Sequence, residues 1–196
     1  MNRTQVVKHP QDVPDSARTN GQALVEFALI LLPLMVILAA ILQFGVLFSA
    51  QIGITNAVRE ADREASAIPV SNSTQASSAA AAVYAHLTSA SGLLVTNGSS
   101  YYSGALVTGP TGTTPRTSVC YYSYTDATGS TSIMARVEVQ YRHPLFIPLI
   151  GGILDGFDGV SDNAFRMGTA EEIRVANPPL ASAGGIGGSA SMVCNP

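Results

Sequence analysis

From Gln22 to Ala50 nearly every position is apolar. The interruptions are Glu26, Gln43, Gly45 and Ser49, and Pro33 lies inside the run. A helix needs about 20 such residues to cross the hydrocarbon core of a bilayer. The run predicts a membrane span at about residues 24–48. The helical pattern does not stop there. "ITNAVREADREASA", residues 54–67, consists of good helix formers and keeps Val58, Ala61 and Ala65 on one stripe. Arg59 is placed to meet Asp62, and Glu60 to meet Arg63, each three residues on. Ile68-Pro69 ends the helix, because proline disfavours helix at the residue before it. The expectation is one helix over 22–68, roughly 65 Å long at 1.5 Å per residue. Pro33 removes one backbone hydrogen bond and predicts a kink.

The pattern then changes. Residues 1–20 are polar, with Pro10 and Pro14, and read as a leader without stable helix. A second helix is expected over Thr74–Ala90, with Gly92 marking its end. His86 on it reads as a surface or packing residue. Residues 93–123 read as short strands and turns: "LLVTN", "YYSGALVTG", a loop at "PTGTTPRT", then "SVCYYSY". The clearest strand is "IMARVEVQY", residues 133–141. Val137, Val139 and Tyr141 alternate there with Arg136, Glu138 and Gln140, the period of a half-buried strand. A turn at "DATGSTS" makes these two strands a hairpin. "HPLFIPLIGGILDGF", residues 143–157, is apolar but broken by two prolines and paired glycines, so it reads as an apolar loop or short helical turn. It either caps the core or touches a membrane surface or a neighbouring subunit. "NAFRMGTAEEIRVA", residues 163–176, reads as a final strand. The Gly/Ser/Pro-rich tail 177–196 reads as flexible. The fold class expected is α+β. The division is a leader (1–21), a long helix (22–68), an outer domain with a short helix and antiparallel sheet (69–176), and a tail (177–196).

Composition narrows the function. Charged residues make up 12% of the 196, about half the usual level for a soluble domain, which favours a membrane-linked or exported protein. The net charge of −3 leaves no basic footprint for nucleic acid. The two cysteines, Cys120 and Cys194, lack the close spacing of a metal site or redox motif. In an oxidising compartment they form one disulfide, within the chain or between subunits; two unpaired thiols are the alternative. Asp155, Asp158 and Asp162 lie near glycine turns but lack the spacing of an EF-hand loop, so they read as solvated turn residues rather than Ca²⁺ ligands. No metal and no cofactor is expected. No nucleophile is placed beside a base, and no H-E-x-x-H, G-x-S-x-G or Walker sequence occurs. An enzyme is not expected.

The apolar run itself admits three readings. A secretory signal peptide cut at "FSA" before Gln51 has too long a core, since signal cores run about 7–15 residues. It would release a secreted protein, such as a hydrolase. A plain signal anchor leaves Glu26 as an uncompensated cost, about 2.5 to 3.5 kcal/mol for an acidic residue at a span's centre and less near its end. The third reading pairs Gly21 with Glu26. Gly21-Gln22-Ala23-Leu24-Val25-Glu26-Phe27 resembles a class of type IV prepilin cleavage site. There the cut follows the glycine, and residue five of the mature chain is glutamate, followed by an aromatic. The longer run, with "ALVEFAL", "LLPL", "QFG.LF" and "TNAVREA", resembles the TadE-like family over residues 21–65. These are pseudopilins or minor pilins of the tight-adherence (Tad/Flp) pilus system.

That resemblance implies a cut between Gly21 and Gln22 by a prepilin peptidase. The cut creates an amine on Gln22, one helical turn from Glu26. In an assembled filament the resemblance implies pairing of that amine with the glutamate of a neighbouring subunit, with Phe27 beside it. An unpaired buried charge is penalised by several kcal/mol, so the pairing fixes register. The implied partners are the prepilin peptidase, other Tad pseudopilins, the Flp pilin, the platform proteins and the membrane. The implied location is the bacterial inner membrane, N-terminus cytoplasmic and C-terminal domain outside, possible incorporation into the pilus included. The competing function is a permanently anchored binding protein or adhesin.

Overall fold

The computed structural model describes residues 15–89, 92–96, 105–106, 117–156, 164–176 and 185–195. The leader to residue 14, most of "YYSGALVTG", nearly all of "PTGTTPRT", Asp158 and Asp162 lie outside them. The chain divides into two compact units, Met1–Ile41 and Leu42–Pro196. The protein is α+β, as its pattern predicts.

Helix α1 spans Asp15–Ala67 and crosses the boundary between the units. It starts immediately after Pro14, so Asp15–Asn20 is helical where the sequence suggested no stable helix. Pro14 restricts the residue before it, not the one after, and leaves the helix free to begin there. The helix continues through Pro33.

In the first unit the residues from Gly21 to Ile30 are all exposed, including Leu24, Val25, Phe27, Leu29 and Ile30. Helix α1 contains an 18-residue window of mean hydropathy 2.8, none of it buried within the protein. An apolar helix without a protein partner suits hydrocarbon as its solvent.

In the second unit α1 turns one stripe inward. Gln43, Leu47, Ala50, Ile54, Val58, Ala61 and Ala65 are buried at helical spacing. The alanines permit close approach of the backbone. Helix α2, Ser73–Thr88, is capped by Asn72, whose Oδ1 accepts from Gln75 N at 2.9 Å. Gln75 Oε1 in turn accepts from Ser71 N and Ser71 Oγ. This reciprocal cap satisfies donors a helix start leaves open. "LLVT" forms a single turn, α3 (Leu93–Thr96), not the strand its composition suggested. A four-residue apolar run carries no readable period, so packing decided it.

The sheet is antiparallel, with β1 (Ala105–Leu106), β2 (Ser118–Thr125), β3 (Thr131–Pro144), β4 (Ala164–Arg174) and β5 (Val193–Cys194). Strand β3 is central. Along one edge it pairs with β4 over its length; along the other it pairs first with β2, then with β1. Ile133, Ala135, Val137, Val139, Tyr141 and His143 are buried in strict alternation, the predicted period. The β2–β3 turn is held by Asp126, whose Oδ1 accepts from Thr128 N, Thr128 Oγ1 and Ser130 N. Those bonds hold its carboxyl below the usual range. Gly129 supplies the φ of 83° that closes the turn. Residues 143–157, expected as a loop or helical turn, include helix α4, Pro148–Asp155, with proline in its first turn.

The end of the tail, residues 185–195, is held against the sheet, whereas residues 177–184 lie outside the described residues. Residues 185–195 lie along β2: β5 pairs with it, Ser123 N donates to Gly187 O, and Asn195 N donates to Val119 O. Asn195 Oδ1 also accepts from Val119 N at 2.7 Å. Cys120 and Cys194 are register partners joined by a disulfide within the chain, their Cα atoms 4.0 Å apart.

Candidate processing and assembly segment

Glycine lowers helix stability by about 1 kcal/mol relative to alanine, so Gly21 is a weak point in α1. A Cβ built there meets nothing within 4 Å. One turn on, Gln22 Nε2 donates to Glu26 Oε1 at 3.1 Å. The sequence paired Glu26 with the amine that a cut would create on Gln22. In the intact chain the side-chain amide of the same residue meets the carboxylate. Phe27, next in the chain, is exposed.

Within the second unit, polar contacts join the C-terminal part of α1 to the sheet and to α2. Tyr121 Oη donates to Ala65 O at 3.2 Å, and Ala176 N donates to Ser66 O at 2.9 Å. His86 of α2 meets Glu64 Oε2 at 2.6 Å, an ion-pair geometry that makes His86 a packing contact between helices. Burial, reinforced by the charge of Glu64, pushes the Tyr121 hydroxyl up to about 12.

Local helix pairing loses to the sheet at Arg59. Its predicted partner was Asp62; its partner is Glu171 of β4, 3.1 Å away. Glu60 and Arg63 are both exposed, and no ion pair joins them among the described residues. Asp62 is only 3% exposed, and its Oδ1 has no hydrogen-bond partner among the described residues. Burial, with Glu171 and Glu172 adding negative charge, pushes its carboxyl up to about 7. Asp62 is 14 positions beyond residue 48, about 21 Å farther along the helix than the predicted span. The sequence placed Asp62 only as a partner for Arg59 and missed its burial, although the signal was present: it stands four residues after Val58 and three before Ala65, on the buried stripe.

Gln43 is the other polar residue on that stripe that the sequence did not single out. It is 2% exposed, and its Oε1 accepts from Phe146 N at 3.2 Å. On the opposite sheet face, Arg136 meets Glu172 and Glu138, and Tyr122 Oη donates to Glu172. An open groove of about 370 Å³ lies nearby, lined by tyrosines, serines, Asp126, Met134, Glu172 and Arg174. It contains no cysteine or histidine and no paired nucleophile and base.

Residues 21–63 match the family model of TadE-like proteins. The match starts at Gly21, takes in Glu26, Gln43 and Asp62, and ends inside α1. No curated protein and no solved structure matches the chain. The TadE-like segment is therefore the helix, and the sheet domain lies outside the match. A TadE-like segment associates the protein with the Tad pilus and its components, and the family is structural rather than known for catalysis. The apolar helix and the TadE-like match together fit a membrane-anchored protein.

Proposed function

We propose that this protein is a minor pilin or pseudopilin that takes part in assembling or priming a Tad/Flp pilus. The TadE-like match, starting at the glycine of the cleavage pattern, is the observation that carries this reading. The chain enters the inner membrane with its leader in the cytoplasm. A prepilin peptidase cuts between Gly21 and Gln22, and the outer domain faces away from the cytoplasm. The cut leaves a cationic amine at Gln22, near the membrane face, within a turn of Glu26. When helices of pilus subunits pack, the amine of one meets the glutamate of another, because either charge alone is costly away from water. The helix thus supplies assembly, and the sheet domain supplies recognition of pseudopilin, Flp pilin or platform partners.

N-terminal sequencing of the protein from cells with an active prepilin peptidase tests this. A mature start at Gln22 is expected, and Gly21→Val is expected to leave the uncut form in the membrane. Gly21 has open space around it, so the substitution leaves packing intact. A chain that still begins at Met1 would sink the processing step. Shearing separates the proposal from a permanent anchor or adhesin: a pilus component leaves with the filaments, an anchor stays with the cells.

A further inference from the structure

The segment after β3 is built unlike a core cap. From Pro144 to Leu154 it has no acidic or basic residue. Leu145, Ile150 and Leu154 are buried and fix it to the second unit. Two large apolar side chains stay more than half exposed: Phe146 at 55%, although its ring meets the edge of His143, and Ile153 at 59%. Core capping accounts for the first three and leaves the other two unexplained.

Their position along α1 suggests what covers them. The Phe146 N–H bond to Gln43 ties this segment to one turn of the helix. Counted from Leu24, about 20 residues of helix reach Gln43, and the predicted span ends at about residue 48, so Gln43 to Phe48 form its last turns. Those turns carry Phe44 and Phe48, the latter 66% exposed, with ring centroids 6.4 Å apart. Phe44, Phe48, Phe146 and Ile153 are thus apolar groups left uncovered where an anchored chain leaves hydrocarbon. A short apolar helix whose one charged residue, Asp155, stands at its C-terminal end suits the interfacial layer, where apolar side chains sink among lipid headgroups and acyl ends.

We propose that the Phe146–Ile153 face, including the outward side of α4, seats in the outer interfacial layer of the bilayer and is held beside the helix by Gln43. This rests on the membrane-anchored reading of α1. The segment then acts as a foot that sets the depth of the span. Extraction of the subunit into a filament must lift this foot out of lipid as well as the helix.

The protein has no tryptophan, so a single introduced indole reports one site. The full chain is placed in phosphatidylcholine–phosphatidylglycerol vesicles as Phe146→Trp, as Ile153→Trp and as Tyr124→Trp. Tyr124 is exposed on β2 and serves as the aqueous reference. Flotation of each sample first checks anchoring. The Phe146→Trp and Ile153→Trp indoles are expected to lose most emission to lipids brominated near the carbonyl end, to resist iodide on both sides, and to emit at shorter wavelength than Tyr124→Trp. Gln43→Leu added to Phe146→Trp is expected to restore part of the iodide quenching. Iodide quenching without bromolipid quenching in floated vesicles overturns the lipid seat while leaving the anchor intact. Shielding from both quenchers also overturns it and assigns the face to a neighbouring protein surface. A chain that does not float overturns the anchor, and the seat with it.

Discussion

Gln43 and Phe146 are 103 positions apart in the chain, yet the backbone N–H of Phe146 donates to Oε1 of Gln43 at 3.2 Å. The bond explains a glutamine inside an apolar run. It lies on the buried stripe of α1 within the second unit, where the Phe146 N–H needs an acceptor. Gln43→Leu keeps the bulk and removes that acceptor. Stranding a buried donor costs about 1 to 3 kcal/mol. The substitution also removes Nε2, which meets no partner among the described residues, so the lower end is expected. Thermal unfolding of the domain, followed by tyrosine circular dichroism, and faster amide exchange at Phe146 measure it.

Asp62 makes domain stability depend on pH, with a defined sign. Its carboxyl stands at 3.8 when unfolded and about 7 when folded. Between those values the folded chain holds a proton that the unfolded chain has released. Stability from this group is therefore full below 3.8 and is lost as pH rises through about 7. At about 1.4 kcal/mol per pH unit, Asp62→Asn is expected to stabilise the domain by about 2 to 4 kcal/mol at an alkaline pH near 8 and little at an acidic pH near 4. Urea unfolding at both values decides it; equal gains at both would show that charge burial is not the cause.

The Cys120–Cys194 bond closes a sequence separation of 74 residues. In the chain-entropy model such a crosslink contributes about 4 kcal/mol. Reductant or Cys194→Ser is expected to lower stability by up to that amount and to expose the C-terminal strand to protease. The hydrogen bonds of Asn195 and Gly187 to β2 should delay that release. Identical digestion patterns with and without reductant would contradict the clamp.

Glu26→Gln separates charge from shape at the proposed assembly contact. A glutamine there keeps an oxygen to accept from Gln22 Nε2, so the intact chain should insert and be cut as before. Loss of the carboxylate leaves the new amine without its counterion. The expected outcome is a mature subunit retained in the membrane and depleted from sheared pili, read by immunoblot of both fractions. Normal incorporation would refute the charge-pairing rationale.

Strong periodicities carried most of the fold. The alternation of β3, the helical run of α1 and the Asp126–Gly129 turn are local patterns, each enforced by backbone geometry whatever surrounds it. Weak patterns did not survive contact with the rest of the chain. "LLVT" coiled into a turn, and the last residues of a glycine- and serine-rich tail, Val193–Cys194, became a strand because Cys194 and Asn195 found β2. The site divides in the same way. The TadE-like segment is legible because its pattern lies within one helix. The partner of Arg59, the burial of Asp62 and the acceptor role of Gln43 are set by β4 and by the segment after β3, which reach α1 from more than a hundred positions away. Sequence alone determined which side chains share a face of this helix. Only tertiary packing decided which of those faces lost water, and loss of water is what turned a glutamine into an anchor point and an aspartate into a proton-holding group.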